Sequence, residues 1–377
     1  VLDGQDSPVV PVPAGNLRES DSLTRSLRVG EEIDDEIALV IATSGTTGTP
    51  KGAMLTPAAL IASASATHDR LGGAGNWLLA LPAHHIAGMQ VLVRCVLAGT
   101  VPTELDLSDG FDVTQLPRAV AQLGSGRRYT SLVANQLAKA LSDPAATNAL
   151  AELDAVLLGG GPAPPAVLDG ATAAGIAVVR TYGSSETSGG CVYDGIALDG
   201  VEVRIDGPAD AGLGRIIIGG ATLAKGYRNP TPPDPTKPDP FAQSGWFRTD
   251  DVGALDDSGR LTVLGRADEA ISTGGLTVMP GAVEAVLSRH PAVTECAVFG
   301  VPDDRFGQRV VAAIVADPTV PLPTLEELRD FVALSLDPTA APRELRTVAE
   351  LPRRGIGKID RRALRERYSG GGAITNQ

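Results

Sequence analysis

The residues best suited to chemistry in this sequence are gathered in Thr43-Ser44-Gly45-Thr46-Thr47-Gly48-Thr49-Pro50-Lys51-Gly52. The string follows a short apolar run directly. Its glycines and small hydroxyl residues leave backbone N–H groups free to surround an anion, and Lys51 adds a positive charge. It is not a Walker A loop, which needs Gly-Lys-Ser/Thr after four spacer residues; here Pro50 precedes Lys51, so a helix cannot start in the same way. Gly159-Gly160-Gly161 ends another apolar run, where missing side chains let a ligand approach the backbone closely. No Ser/His/Asp arrangement stands out as a hydrolytic triad. Cys95, Cys191 and Cys296 are far apart and odd in number. They lack Cys-x-x-Cys or Cys/His ligand spacing, which disfavours a disulfide scaffold and structural zinc.

The elements that position these residues follow from the apolar pattern. Residues 37–43, 77–81, 129–133, 154–160 and 177–183 read as buried strands. Between them, 57–70, 86–98, 113–123, 134–142 and 164–174 read as helices. Such alternation predicts a parallel sheet with helices on both faces. After residue 195 the strands 201–206, 215–220 and 261–265 are short and separated by turns, which predicts an antiparallel region. The Pro-rich stretch 229–240 cannot lie inside a sheet. Helix 280–290, strands 293–301 and 309–316 and helix 324–335 form a last small α+β unit, with the joint near 265–269. The fold class is therefore α/β: a large N-terminal α/β domain with a parallel sheet and an antiparallel subdomain, plus a small C-terminal α+β domain. The expected division is 1–35 as a surface lead-in, 36–267 as the main domain and 268–377 as the C-terminal domain.

Composition narrows the function. The 377 residues carry 32 Lys+Arg against 45 Asp+Glu, a net charge of −13. That disfavours nucleic acid as a partner, because such binding rests on basic side chains meeting phosphates. The first residues are acidic where a signal peptide needs basic charge. No apolar run reaches membrane-spanning length, so no membrane insertion is expected. The expected location is the cytoplasm.

Taken with further motifs in order, the loop at 43–52 resembles the phosphate loop of the adenylate-forming superfamily: acyl-CoA synthetases, luciferases and peptide-synthetase adenylation domains. The resemblance runs from about residue 37 to 367. It implies ATP, Mg²⁺ and coenzyme A, with the phosphates held by Thr43, Ser44, Gly45, Thr46, Thr47, Gly48 and Lys51. Tyr182-Gly183-Ser184-Ser185-Glu186-Thr187 resembles the second core motif. Tyr182 would then stack on adenine, with Gly183 beside it and Gly159, Gly160 and Gly161 along the adenosine. Ser185 keeps the hydroxyl of the family's usual Thr, and Glu186 is an oxygen ligand suited to Mg²⁺ beside phosphates. Trp246-Phe247-Arg248-Thr249-Asp250-Asp251 resembles W-F-x-T-G-D. It assigns Asp251 to the ribose hydroxyls and puts Asp250 in place of the usual Gly. Leu264-Gly265-Arg266-Ala267-Asp268-Glu269 resembles the hinge motif, with Arg266 on the ribose and Asp268 as the hinge of a mobile lid. Gly274 and Gly275 match the loop lining the pantetheine tunnel. Lys358, in a C-terminal P-x-x-x-x-G-K match, would reach the reacting carboxylate and α-phosphate. With Glu186, Ser185 and His85 it completes the implied catalytic set.

The acid is addressed by Leu81-Pro82-Ala83-His84-His85-Ile86-Ala87-Gly88. Amino-acid-activating members place Asp nearby; His84 and His85 here argue against an amino acid. Adjacent histidines diverge on a regular backbone and no third ligand is evident, so a metal site is not expected. His84-to-Gly99 and Ser188-to-Gly195 are similar to the 2-succinylbenzoate–CoA ligase branch of the superfamily, which implies a dicarboxylic acid substrate in menaquinone biosynthesis. Arg94, on the predicted helix, is the candidate partner for the second carboxylate. Expected partners are thus a small carboxylic acid, ATP and coenzyme A, with a homodimer as the candidate assembly. The alternatives are a ligase for another aromatic or aliphatic acid and a non-catalytic nucleotide-binding protein.

Overall fold

Ala155–Gly159 reads Ala-Val-Leu-Leu-Gly, apolar toward both faces, as a strand covered on both sides must be. In the computed structural model it is the middle strand of a seven-stranded sheet, and the structure describes residues 1–3, 7–43, 50–207, 213–230, 238–354 and 358–369. The order is Thr103–Glu104, Asn76–Leu79, Arg128–Val133, Ala155–Gly159, Val178–Ser184, Gly189–Tyr193 and Ile196–Ala197. The first five strands pair in parallel and the last two antiparallel.

Alternation along the strands sorts the core into two halves. Leu78, Leu132, Val156 and Leu158 pack against Leu116, Leu137, Leu150 and Ala171 of the helices on one face. Trp77, Leu79, Tyr129 and Leu157 point the other way. They meet Val91 and Cys95 of helix Ile86–Ala98, and Ile216 and Ile218 of a second sheet. That four-stranded antiparallel sheet is Val201–Asp206, Gly214–Gly220, Trp246–Leu255 and Leu261–Arg266. The C-terminal unit is a five-stranded sheet built on the long pair Val293–Asp303 and Gly307–Ala316. Its alternation works likewise: Val298, Val310 and Ala312 face helices Pro280–Leu287 and Leu325–Ala333. Phe299, Val311 and Ala313 face Leu364 of the last helix, Arg361–Ser369.

Three local differences from the sequence reading have physical causes. Leu39–Thr43 is a strand, but it pairs antiparallel with Lys51–Leu55 in a separate two-stranded ribbon rather than joining the parallel sheet. The intervening stretch is too short for the crossover that parallel pairing requires. Trp246–Leu255, read as a motif without an assigned element, is a ten-residue strand with a bulge at Val252/Gly253. Its acidic residues are poor strand formers, and pairing with neighbours on both sides overrides that. The expected lead-in contains helix Leu17–Ser26 and packs inward. Leu27 is buried with Ile37 and Val40. Arg228 donates to the carbonyls of Leu27, Arg28, Glu31 and Glu32 at 2.6–3.3 Å.

Helix Ile86–Ala98 sits so close to the end of strand Asn76–Leu79 that Gly88 touches backbone. A β-carbon there would lie 2.6 Å from the Leu81 carbonyl oxygen and closer still to that of Pro82. Gly170, inside helix Pro165–Ala173, would instead meet only the Leu141 side chain at 3.4 Å. Gly88→Ala should therefore destabilise the fold by about 1–3 kcal/mol, because backbone cannot move aside. Gly170→Ala should be neutral or stabilise by about 0.5–1 kcal/mol. Denaturant midpoints of the two variants check the contrast.

Candidate active site

The site lies where the C-terminal ends of the parallel strands meet the ribbon, the antiparallel sheet and the C-terminal unit. Strand Val178–Ser184 carries Tyr182 to its edge. The Tyr182 hydroxyl donates to Asp251 Oδ2 at 2.8 Å, across to strand Trp246–Leu255 of the other sheet. Burial pushes Asp251 above the usual carboxylate range, against the opposing effects of the Tyr182 hydrogen bond and the Arg266 charge. Burial beside that carboxylate pushes the Tyr182 hydroxyl up, so it remains a proton donor.

Asp250 lies where the register with strand Gly214–Gly220 shifts, between the pairs Arg215–Val252 and Ile217–Arg248. Its backbone is not in the left-handed region, and its exposed carboxylate takes Arg215 at 3.2 Å and Arg266 at 3.1 Å. Arg266 also forks onto Asp268, at 2.8 and 3.0 Å. A side chain at this position is thus tolerated where the family's usual Gly is missing.

Glu186 sits in a one-turn helix, Ser185–Thr187, that ends with Ser188 in the left-handed region. Its carboxylate is buried and accepts from the Tyr227 hydroxyl at 2.7 Å. Tyr227 is bridged by its backbone to Ala53 of the ribbon, and Lys51 Nζ lies 5.0 Å from its ring centre. Lys51, Tyr227 and Glu186 therefore form one cluster. Thr43, paired with Lys51 across the ribbon, is beside it; Ser44, Gly45, Thr46, Thr47 and Gly48 lie outside the described residues. Sequence reasoning missed Tyr227. Its signal was rarity: the chain has only five tyrosines, and this one follows Gly226 in a polar stretch with no core pattern to explain it.

Gly159 closes strand Ala155–Gly159 against Thr181, whose Oγ1 would be 2.6 Å from an added β-carbon. Gly160 and Gly161 follow with positive φ. Gly183 is equally constrained, because the backbone of Gly189 and Gly190 fills the space of a side chain. Gly274 and Gly275 form the two-residue turn between Ile271–Thr273 and Leu276–Val278, both at positive φ, as a tight hairpin demands.

His84 and His85 correct the expectation that they diverge. Their ring centres are 4.3 Å apart, because His84 lies in a turn and His85 is the extended residue capping helix Ile86–Ala98. Among the described residues there is no group of three side chains able to hold a metal ion. Burial, then the neighbouring His84 and Lys358, push His85 down to about 4. Lys358, at the start of strand Lys358–Ile359, also bears on Asp251. The C-terminal unit thus brings the Lys358 charge within electrostatic reach of both residues. Arg94 points into the protein, as the helix prediction allows, rather than to its surface. It is buried, with Nη2 3.3 Å from Thr67 Oγ1 and 3.4 Å from the Tyr193 hydroxyl, over the Trp77 ring.

Comparison with known proteins fits this arrangement. Residues 8–228 match the AMP-binding enzyme family, and residues 282–358 match the AMP-binding enzyme C-terminal domain. The chain belongs to the AMP-binding enzyme family. It is 68% identical to a probable 2-succinylbenzoate–CoA ligase of Mycobacterium tuberculosis, over 98% of this chain and 94% of that protein. The 2-succinylbenzoate–CoA ligase of Listeria monocytogenes is 35% identical, covering 88% and 70%. Among solved structures, the o-succinylbenzoate CoA synthetase (MenE) of Bacillus subtilis in complex with the acyl-adenylate intermediate OSB-AMP superposes with a TM-score of 0.73 at 29% identity, over 90% of this chain and 70% of that one. ATP-bound MatB from Rhodopseudomonas palustris gives 0.76 at 28% identity, over 91% and 70%. No helix among the described residues is long and apolar enough to cross a membrane.

The depressed His85 makes a pH prediction for this member of the family. Between its ordinary 6.5 and its folded value of about 4, the unfolded chain binds a proton that the folded chain does not. His85 therefore contributes stability above pH 6.5 that is lost as pH falls toward 4. His85→Asn should melt with a shallower loss across that window than the unsubstituted protein, by calorimetry at pH 4.5, 5.5 and 7. Parallel curves would contradict the burial argument.

Proposed function

We propose that this chain joins 2-succinylbenzoate to coenzyme A at the expense of ATP, through an acyl-adenylate. The observation that carries this reading is the 68% identity with the mycobacterial ligase along nearly the full length of both chains.

In the first step a substrate carboxylate oxygen attacks the α-phosphorus of ATP. The bond to the pyrophosphate oxygen breaks, and pyrophosphate leaves with the electron pair. Thr43, the loop Ser44–Gly48 and Lys51 hold the phosphates in this reading, with Ser185 adding a hydroxyl. Tyr182 and Gly183 take the adenine, Gly159–Gly161 lie along the adenosine, and Asp251 and Arg266 hold the ribose. For Tyr182 and Asp251 this means that the nucleotide meets a pair already hydrogen-bonded to one another. Glu186 fits a magnesium ion held mainly by phosphates, a mode needing one or two protein carboxylates rather than an all-protein cage. When bound, the ion neutralises phosphate charge. Tyr227 donates to Glu186 Oε1 and leaves Oε2 without a hydrogen bond among the described residues.

Lys358 supplies the charge that the pentacovalent α-phosphorus needs. A unit charge about 4 Å away at a partly desolvated site is worth on the order of 4 kcal/mol. In the second step the C-terminal unit turns at Asp268 and Lys358 withdraws. The coenzyme A thiol, guided past Gly274 and Gly275, attacks the mixed anhydride carbonyl and expels AMP. His84 and His85 border the acid. Arg94 takes its second carboxylate: it is a buried cation with no carboxylate partner among the described residues, and its Nε has no acceptor there. The reading places the reaction in the cytoplasm, where nucleotide and thiol substrates are available.

The test is pyrophosphate release with ATP, Mg²⁺ and 2-succinylbenzoate, benzoate or a medium-chain fatty acid, with and without coenzyme A. Turnover stimulated by coenzyme A should appear with 2-succinylbenzoate alone; faster turnover with another acid would move the substrate assignment. Lys358→Ala should slow adenylation by about 10²–10³ while leaving thioester formation from supplied acyl-adenylate nearly intact. Arg94→Lys keeps the charge but loses the fork. It should raise KM for the dicarboxylate by roughly tenfold, the worth of one charge-assisted hydrogen bond, and leave any residual turnover of benzoate unchanged.

A further inference from the structure

Two adjacent carboxylates at the joint are held by arginines from different units. Asp268 is held by Arg266, which ends the antiparallel sheet. Glu269 is held by Arg361, which begins the last helix of the C-terminal unit, with Nη1 2.9 Å from Glu269 Oε2. The same guanidinium reaches Glu284 of helix Pro280–Leu287, with Nη2 at 2.8 and 2.7 Å from its two oxygens. Glu284 in turn accepts from the backbone N–H of Val298, in the centre of the C-terminal sheet, at 2.7 Å. The chain from joint to sheet is therefore Glu269, Arg361, Glu284, Val298.

The two arginine contacts differ in their exposure to water. Arg361 and Glu269 side chains are 14% and 20% exposed, whereas Arg266 and Asp268 are 35% and 42% exposed. An exposed pair exchanges its partner for water at little cost; a buried one does not. A turn at the joint would break the Arg266 contact first and carry Glu269 with the C-terminal unit. Arg361 is three residues from Lys358, and Asp360 between them is fixed at both ends. Its N–H donates to the Pro352 carbonyl at 2.8 Å, and its carboxylate accepts from Ala363 N at 3.1 Å. Three residues span at most about 10 Å, so Lys358 cannot drift far from the guanidinium.

We propose that Glu269 and Arg361 are positioning residues: they tie the backbone of the joint to the segment bearing Lys358, so that the joint's orientation sets where the ammonium group stands during adenylation. This rests on the reading of Lys358 given above. Neither residue touches substrate in this account, so its signature is a defect confined to the half-reaction that uses Lys358.

Removing Arg361 outright strands Glu284 as a buried charge and risks the fold, so the test uses Glu269→Gln, which leaves the Arg361–Glu284 pair in place. Adenylation is read as ATP–pyrophosphate exchange, thioester formation from supplied acyl-adenylate, and folding from the thermal midpoint, each in the full-length chain with and without Lys358→Ala. Glu269→Gln should slow exchange roughly tenfold, within the range of coupling between residues of one ion-pair network. It should leave thioester formation within about twofold and cost nothing further once Lys358 is alanine. Equal slowing of both halves, unchanged exchange, or a loss that multiplies in the Lys358→Ala background each overturns the proposal while leaving the Lys358 reading intact. Normal exchange by Lys358→Ala itself would overturn that reading and this inference with it. Arg361→Lys, which retains one charge contact, should fall between the unsubstituted protein and Glu269→Gln; slower exchange than in Glu269→Gln at an unchanged thermal midpoint would count against the strut.

Discussion

The hydrogen bond from Tyr182 to Asp251 is the contact on which the candidate site depends. It joins the seven-stranded and four-stranded sheets, which share no named strand pairing among the described residues. A second bond of the same kind, Tyr227 to Glu186, joins the ribbon side to the turn after strand Val178–Ser184. In both, a phenol donates to the carboxylate. A phenol carries no formal charge, so it occupies one carboxylate oxygen without forming an ion pair. A hydrogen bond to a charged group is worth about 1.5–3 kcal/mol. That is enough to fix the rotamer of each side chain before any ligand arrives, and small enough for a ligand offering two donors to compete with it.

Sequence alone revealed the layers because burial on both faces leaves a continuous apolar run, and burial on one face of a helix leaves a periodic one. Ala155–Gly159 and Ile86–Ala98 carry those signals plainly. Trp246–Leu255 did not, since its acidic residues serve the site and the strand is imposed by its neighbours. The ribbon's departure from the parallel sheet was legible in principle: too few residues separate Thr43 from Lys51 for a crossover. The candidate residues of the site lie inside contiguous motifs, whereas Tyr227 had rarity alone to mark it, because its link to Glu186 exists only in three dimensions. The closeness of His84 and His85 was hidden for a related reason. It depends on where a turn hands over to a helix, a boundary that residue types define poorly.

Arg94 shows how a site can oppose the stability of the fold that carries it. Among the described residues, a guanidinium on a core-facing side of helix Ile86–Ala98 has two hydroxyls and an indole face for company. Burial lowers its pKa, the mark of a cation held without an anion. His68 Nε2, Trp77 Nε1 and Gln90 Oε1, which also lie around helices Pro57–Leu71 and Ile86–Ala98 and the strand beneath, have no partner among the described residues either. An apolar side chain in place of Arg94 would suit the surrounding Cys95, Trp77 and Tyr193 better. In the proposed function that cost is offset by what Arg94 does for a bound anion, and the free protein is the state in which it is visible.

The overall charge raises a related question, since a chain with 45 acidic and 32 basic residues must hold polyanionic substrates. Screening resolves it. At physiological ionic strength exposed charges more than about 8 Å away contribute little, so the field at the site is set by the few groups that line it. Lys51 stands on the ribbon, Arg266 is largely matched by Asp250 and Asp268, and Lys358 arrives on a separate unit. Of these, Lys358 is the cation that stands on the C-terminal unit. Moving that unit by more than a screening length changes the electrostatics of the site as thoroughly as a substitution would, without altering a residue that holds the nucleotide. In the proposed reaction one chain thereby offers a cationic environment to the step that makes the adenylate and a less cationic one to the step that consumes it.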